Sequence, residues 1–336
     1  MHAILCSLIL CSLTLCSPLA ILAATPAPDK PAPARIVPVE IADGITLVPG
    51  AFVPGRQPDG NSVILDAPQG LIVFDTGRHA EHTQAVLDVA RSRGKPVAAV
   101  VNSHWHLDHV GGNLLVREQY PQAAIYASGA IDGALAGFLA NYRKQLVDVI
   151  DKSANDPPQQ AAYRTELALI DAGDRLKPTE RITQSGPREI AGRALDVHLV
   201  APAVTAGDLW LYDSATRTLV AGDLVTLPFP LFDTACPQRW SEALAQLDAV
   251  DFRTLVPGHG APLKHAQFGR YRKAFDAFAA CAASEREKTA CIEGWLKDAR
   301  TLVPDGEREL ASKVADYYLS AVLRGQAQKT QANCTL

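Results

Sequence analysis

The sequence predicts an α+β fold, a layered sandwich of sheets with helices outside, followed by a C-terminal helical extension. Three observations predict it. Short apolar runs bounded by turn residues are followed by segments of helical spacing, and this happens twice along the chain. Acids and histidines stand at the ends of several of those runs, from Asp75 to His259. From about residue 266 onward the pattern is helical throughout.

Composition bounds the reading before any element is placed. The chain has 336 residues, 48% hydrophobic and 20% charged, which is too apolar for a disordered chain. Its net charge is −4 and no basic patch stands out, so a nucleic-acid partner is not expected. Met1 is the only methionine, which argues against a methionine-lined adaptable groove.

The elements follow in order. Residues 1–24 carry no Lys, Arg, Asp or Glu, and the apolar run from Ala3 to Leu22 ends in Ala23-Ala24. This reads as an export signal, although the usual Lys or Arg before the apolar stretch is missing. An uncleaved anchor is the alternative, weakened by Pro18 and the interleaved Ser and Cys. Cys6, Cys11 and Cys16 each follow a leucine, where a lipoprotein signal wants a small residue. The expectation is an exported, periplasmic chain starting near Thr25 with no membrane span after cleavage. Residues 25–35 are a proline-rich linker.

The folded domain is expected over residues 36–265. Residues 62–67 and 71–75 read as a hairpin across Pro68-Gln69-Gly70. Residues 80–93 have helical spacing, and 97–101 form an all-apolar buried strand. A helix-rich stretch runs from 129 to about 172, broken at Asp156-Pro157-Pro158. Strands resume at 194–200, 209–212 and 219–221. A helix at 239–250 and a short strand at 254–256 precede a tight loop, Pro257-Gly258-His259-Gly260. Residues 266–336 form the extension, with helical patterns at 271–283, 291–299 and 308–323.

The chemistry is concentrated in His104-Trp105-His106-Leu107-Asp108-His109, which follows the buried strand. Alternate residues His104 and His106 can face one metal, while Asp108 and His109 can face a second. Imidazole and carboxylate donors suit zinc, with iron or manganese as alternatives. Asp75 ends one strand, Asp223 ends another, and His259 follows a third. The bland reading of each is a solvated loop residue or a satisfied core histidine. That reading is weak for the clustered residues and stronger for Asp75.

This ordered set resembles the metallo-β-lactamase-fold hydrolase superfamily, over about residues 36–265. The resemblance implies a four-layer αββα sandwich. It implies that His104 and His106 bind a first metal, that Asp108, His109 and His259 bind a second, and that Asp223 bridges the two. By the same resemblance Asp75 orients a ligand from behind, and Asp108 is the catalytic residue, orienting the attacking water as well as binding metal. The activity implied is hydrolysis of an ester, lactone, thioester or amide-type small molecule by metal-activated water.

One position departs from the pattern. The family usually carries a histidine in a stretch like His-Thr-x-Gly-Asp, and here Val204 stands before Thr205, Gly207 and Asp208. Valine cannot ligate a metal. One or two zinc ions per chain are therefore expected, with the second site the tighter. His198 and His265 are the histidines that could replace the missing donor. An aspartate at 223 looks more like general hydrolases of the superfamily than dedicated β-lactamases, which usually carry Cys or Ser there. β-Lactam cleavage remains an alternative, as does a periplasmic metal-binding accessory protein without turnover.

Behind the leader, Cys236, Cys281, Cys291 and Cys334 remain, an even count consistent with disulfides. Four cysteines allow three pairings. A scheme worth testing bridges Cys281 to Cys291 at a helix corner and leaves Cys236 to pair with Cys334.

Overall fold

The computed structural model describes residues 36–53, 55–153 and 155–335. The proposed leader and the proline-rich linker lie outside the described residues. Two sheets carry the fold. The first holds β1 (Val39–Ala42), β2 (Ile45–Val48), β3 (Ser62–Ala67), β4 (Gly70–Phe74), β5 (Val97–Val101), β6 (Ala124–Ala127) and β7 (Glu180–Arg181), in that spatial order. Strands β1 to β4 pair antiparallel, and β4 to β7 pair parallel. The second sheet is ordered β12-β11-β10-β9-β8, from β8 (Gly186–Ile190), β9 (Arg193–Val200), β10 (Asp208–Asp213), β11 (Thr218–Thr226) and β12 (Thr254–His259). Only β11 and β12 pair parallel in it.

The period-two alternation of the strands builds the layers. On β3, Val63 and Leu65 face the second sheet and meet Leu195, Val197, Leu209 and Leu211. Ile64, between them, joins Val86, Leu87 and Ala90 of helix α1 (Ala80–Arg93) on the other side. The second sheet's outer face, with Trp210, Leu219 and Leu255, packs in one cluster with Trp240, Phe268, Phe275 and Trp295. The result is the αββα sandwich that the sequence implied.

Short helices α2 (Leu107–Val110) and α3 (Asn113–Gln119) follow β5. Helices α4 (Ala130–Ala136), α5 (Phe138–Lys152) and α6 (Pro157–Asp171) then form a cap, where Ile131, Leu139, Leu146 and Ile170 cluster with Trp105 and Leu107. Asp156 caps α6 by accepting from Gln159 N, and prolines in its first turn lack only amide protons that a helix start leaves unpaired.

The C-terminal helices are built into the outer layer. Helices α7 (Pro237–Asp248), α8 (His265–Ala282), α9 (Lys288–Asp298) and α10 (Arg308–Tyr317) contribute to one core with the second sheet, and residues 36–336 form one compact unit. Trp295 Nε1 donates to the Pro228 carbonyl at 3.1 Å, fixing α9 to the loop after β11. The chain continues through a π-helical turn, Tyr318–Arg324, to α11 (Ala327–Ala332). Disulfides join Cys236 to Cys334 and Cys281 to Cys291, the pairing raised from the sequence.

Two boundaries differ from the sequence reading in ways that matter for the site. β11 does not stop at Ala221 but runs to Thr226 past a bulge at Gly222, whose φ of 53° suits glycine. β12 includes Pro257 and reaches His259, where a loop was expected. It is the edge strand of its sheet, so the missing proline N–H costs no ladder bond.

Candidate metal centre

The ends of β4, β5, β11 and β12 converge on one buried cluster. Beyond β4, Asp75 takes a left-handed conformation with φ 59°, unusual for a residue with a Cβ and more accessible to Asp than to most. Its backbone N–H still donates to the Val101 carbonyl at 3.0 Å. Beyond β5, His106 is extended and caps α2, whose first residues carry Asp108 and His109 inward. Asp223 lies on β11 just past the bulge, and His259 ends β12. Gly258 leaves room for this arrangement: a Cβ there would come within 2.0 Å of Asp223 Oδ1.

The geometry separates two groups. His104, His106 and Asp223 converge as one potential metal site, and Asp108, His109 and His259 as another. Asp223 links them. Its Oδ1 lies 3.2 Å from His109 Nε2 and 3.5 Å from His259 Nε2, while its Oδ2 lies 3.7 Å from His104 Nε2. Asp108 Oδ2 lies 3.1 Å from His259 Nε2 and 3.6 Å from His109 Nε2.

A hydrogen-bond relay sets the histidine tautomers. Asp75 accepts from Ser103 N at 2.7 Å and from Ser103 Oγ at 2.6 Å. Ser103 Oγ, having given its only proton to Asp75, can only accept from His104 Nδ1, 2.8 Å away. Asp75 Oδ2 also receives His109 Nδ1 at 2.8 Å. Both imidazoles are thus held with Nδ1 protonated and Nε2 turned inward. Asp75 lies on the outer side of His104 and His109, bonded to His109 directly and to His104 through Ser103. Ser103, adjacent to the motif, is a partner the sequence reading missed.

Asp108 is held from outside. Arg78, nearly buried, places Nη2 3.3 Å from Asp108 Oδ1 and pairs its Nη1 with Glu166 of α6. Burial opposes ionisation of Asp108, but His109, His259 and Arg78 outweigh it and hold its pKa well below the ordinary range. Burial likewise opposes charge on His109, yet Asp223, Asp75 and Asp108 overcome it and push its pKa well above the ordinary range. Burial, reinforced by neighbouring His109 and His106, holds His104 well below it. Burial also lowers His106. Two neutral imidazoles at the first group are the form that binds metal.

The atoms facing the centre have no partner. His104 Nε2, His109 Nε2, His259 Nε2 and both oxygens of Asp223 are buried without a hydrogen bond. Buried polar atoms are rarely left so, because each costs its desolvation. Their convergence, with the excess of buried carboxylate, is the arrangement a bound cation satisfies. The donor set of imidazole and carboxylate fits zinc.

Val204 is 1% exposed and packs its side chain into the apolar core. Neither candidate replacement reaches the centre. His198 stacks on Trp210 at 3.7 Å, and His265 stacks on Phe252 with Nε2 3.2 Å from the Asp248 carbonyl. The remaining motif residues close their own turn: Asp208 accepts from Thr205 N at 3.0 Å and from Thr205 Oγ1 at 2.9 Å.

Fold and site together define a class of protein in which the strand ends of two packed sheets present histidines and aspartates to one buried centre. The chain belongs to the metallo-beta-lactamase superfamily, whose family model matches residues 55–259. A linear primary-alkylsulfatase from Pseudomonas sp. is 28% identical over 218 residues, 60% of this chain and 41% of that protein. A hydroxyacylglutathione hydrolase from Synechococcus sp. is 43% identical over 129 residues, 38% of this chain and 34% of that protein. The chain thus spans less than half the length of either. Among solved structures, a metallo-beta-lactamase from Pontibacter korlensis superposes with a TM-score of 0.54 at 18% identity, covering 72% of this chain and 99% of that one. One from Hirschia baltica gives 0.51 at 16%, covering 71% and 96%. These likenesses concern the fold. No helix among the described residues is long and apolar enough to cross a membrane.

Proposed function

We propose that the protein is an exported zinc-dependent hydrolase of small ester-type substrates, including lactones, thioesters, amides and sulfate esters. The observation that carries this reading is the pair of converging donor groups joined by Asp223, with the inward atoms of His104, His109, His259 and Asp223 otherwise unpartnered. His104, His106 and Asp223 would hold one ion; Asp108, His109, His259 and Asp223 the other. When bound, such an ion acidifies a coordinated water to a pKa of about 7 and polarises the bond to be cut.

The chain's own residues supply the rest. Asp75 and Ser103 keep His104 and His109 in one tautomer. His109, His259 and Arg78 keep Asp108 ionised, so besides holding an ion it can accept a hydrogen bond from the attacking water and align it. The two disulfides support an oxidising compartment. The alkylsulfatase relative motivates a sulfate-ester arm in the substrate panel, and Asp223 weighs against β-lactams as the principal substrate.

The experiment is a panel of esters, lactones, thioesters, sulfate esters and β-lactams given to zinc-loaded protein. Turnover of one class, abolished by chelation and by Asp223→Ala, is expected. Full metal loading with no turnover anywhere would favour the accessory-protein reading instead.

A further inference from the structure

We propose that the cleft between the metal-facing loop and the C-terminal helices is a channel for amphiphiles. Its ligands would carry one compact polar head, placed at the end lined by His106 and Asp108 beside the candidate metal centre, and an extended apolar body. The inference rests on the hydrolase reading for the fate of the head, but not for the binding of the body.

The cleft has a volume of about 690 Å³, which suits a ligand of moderate size. His106 and Asp108 line it, so it opens onto the candidate metal centre. An aromatic path leads away from them. The Trp105 ring lies edge-on to His106 at 4.5 Å, and Phe138 lies 5.4 Å beyond Trp105. The tail supplies the facing wall with Val314, Val322 and the neighbouring rings of Tyr317 and Tyr318, 5.1 Å apart. Phe52 lines the cleft as well, and its ring sits 4.9 Å from His259.

Two further observations point to an apolar occupant. Phe138 and Tyr317 are 36% and 54% exposed, two of only six large hydrophobic side chains so exposed among the described residues, and both line this cleft. Exposed aromatic area concentrated beside a reactive centre is surface that a ligand covers. At the inner end of the cleft Arg78 is paired with Asp108 and Glu166, and Asp233 accepts the Tyr318 hydroxyl; of the lysines in the lining, Lys313 pairs with Glu309 and Lys329 is exposed to solvent. A charged body would be desolvated at the inner end beside charges that already have partners, whereas an alkyl or aryl body loses nothing by leaving water.

The test is calorimetric titration of the zinc-loaded protein with straight-chain carboxylates from acetate to decanoate, below their micellar concentrations. Affinity is expected to rise about threefold to fourfold per methylene that enters the cleft. The double substitution Phe138→Ala, Tyr317→Ala should flatten that rise while leaving acetate binding and zinc content unchanged. A flat series in the wild type, or an unchanged slope in the double variant, overturns the proposal. Chain-length-dependent binding without turnover of any ester overturns the hydrolase reading alone. Turnover of short polar esters with no chain-length dependence in binding overturns the channel alone.

Discussion

Thr234 Oγ1 lies 3.2 Å from His106 Nε2 and donates its single proton to the Val204 carbonyl at 3.0 Å. The hydroxyl can therefore only accept from the imidazole, which protonates Nε2 and leaves the Nδ1 lone pair free to ligate. Position 204, where the family pattern carries a histidine, thus reaches His106 through its backbone carbonyl and Thr234. Thr234→Val keeps the shape and removes the acceptor. Zinc affinity at the first group is expected to fall tenfold to a hundredfold, while Thr234→Ser retains it. Competition titration with a chromophoric chelator reads both. An unchanged affinity in the valine variant would mean that something else sets the His106 tautomer.

The two metal groups should differ in strength. The first has His104, His106 and one oxygen of Asp223, and Val204 adds no donor. The second has Asp108, His109, His259 and the other oxygen of Asp223. Zinc titration of the wild type is expected to show one tight and one weaker ion. His259→Ala should abolish the tight phase, and His104→Ala should spare it. Two equally tight ions would show that another donor completes the first group.

Much of this was legible in the sequence, for identifiable reasons. Helix α1 and strand β5 were readable because their apolar spacing matches the burial they acquire. The ligand candidates were readable because they follow strand ends in a recognisable order. Strands β1 and β2 were not assigned, and neither was β8, whose Gly-Pro-Arg-Glu-Ile alternates charge and exposure at a sheet edge. The full length of β11 was hidden by Gly222, which looks like a terminator and proves to be a bulge. Thr234, Arg78 and Glu166 carry no local signal at all. Their roles arise from contacts across 128, 30 and 88 residues, which only the folded chain creates.

The disulfides should contribute unequally. Cys236–Cys334 spans 98 residues and Cys281–Cys291 spans 10. Loop-closure entropy predicts stabilisation of about 4–5 kcal/mol for the first and about 2–3 kcal/mol for the second. The first also sits two residues from Thr234, and Asn333 Nδ2 donates to the Ala235 carbonyl at 3.3 Å beside it. Cys236→Ala with Cys334→Ala should therefore cost more stability than Cys281→Ala with Cys291→Ala, and it alone should weaken zinc at the first group. Denaturant midpoints and zinc titration of the two double variants decide this. Equal losses in both assays would contradict the assignment of the C-terminus as a clamp on that loop.

Asp208 offers a pH-dependent test of the turn that carries Val204. It is 3% exposed, and burial raises its pKa from 3.8 to about 7 despite the bonds it accepts from Thr205. Between about pH 4 and 7 the folded protein holds a proton that the unfolded chain has released. Its contribution to stability is therefore full below pH 4, declines as pH rises through 7, and is absent above. Asp208→Asn removes the titration while keeping the size of the side chain. Any loss from its altered hydrogen bonding is the same at every pH, so the slope isolates the ionisation. Relative to wild type, the variant is expected to gain on the order of 2 kcal/mol between pH 5 and pH 8. Guanidinium unfolding of both proteins across that range measures the difference. A difference independent of pH would mean that Asp208 is already ionised at pH 5, stabilised by Thr205 more than burial opposes it.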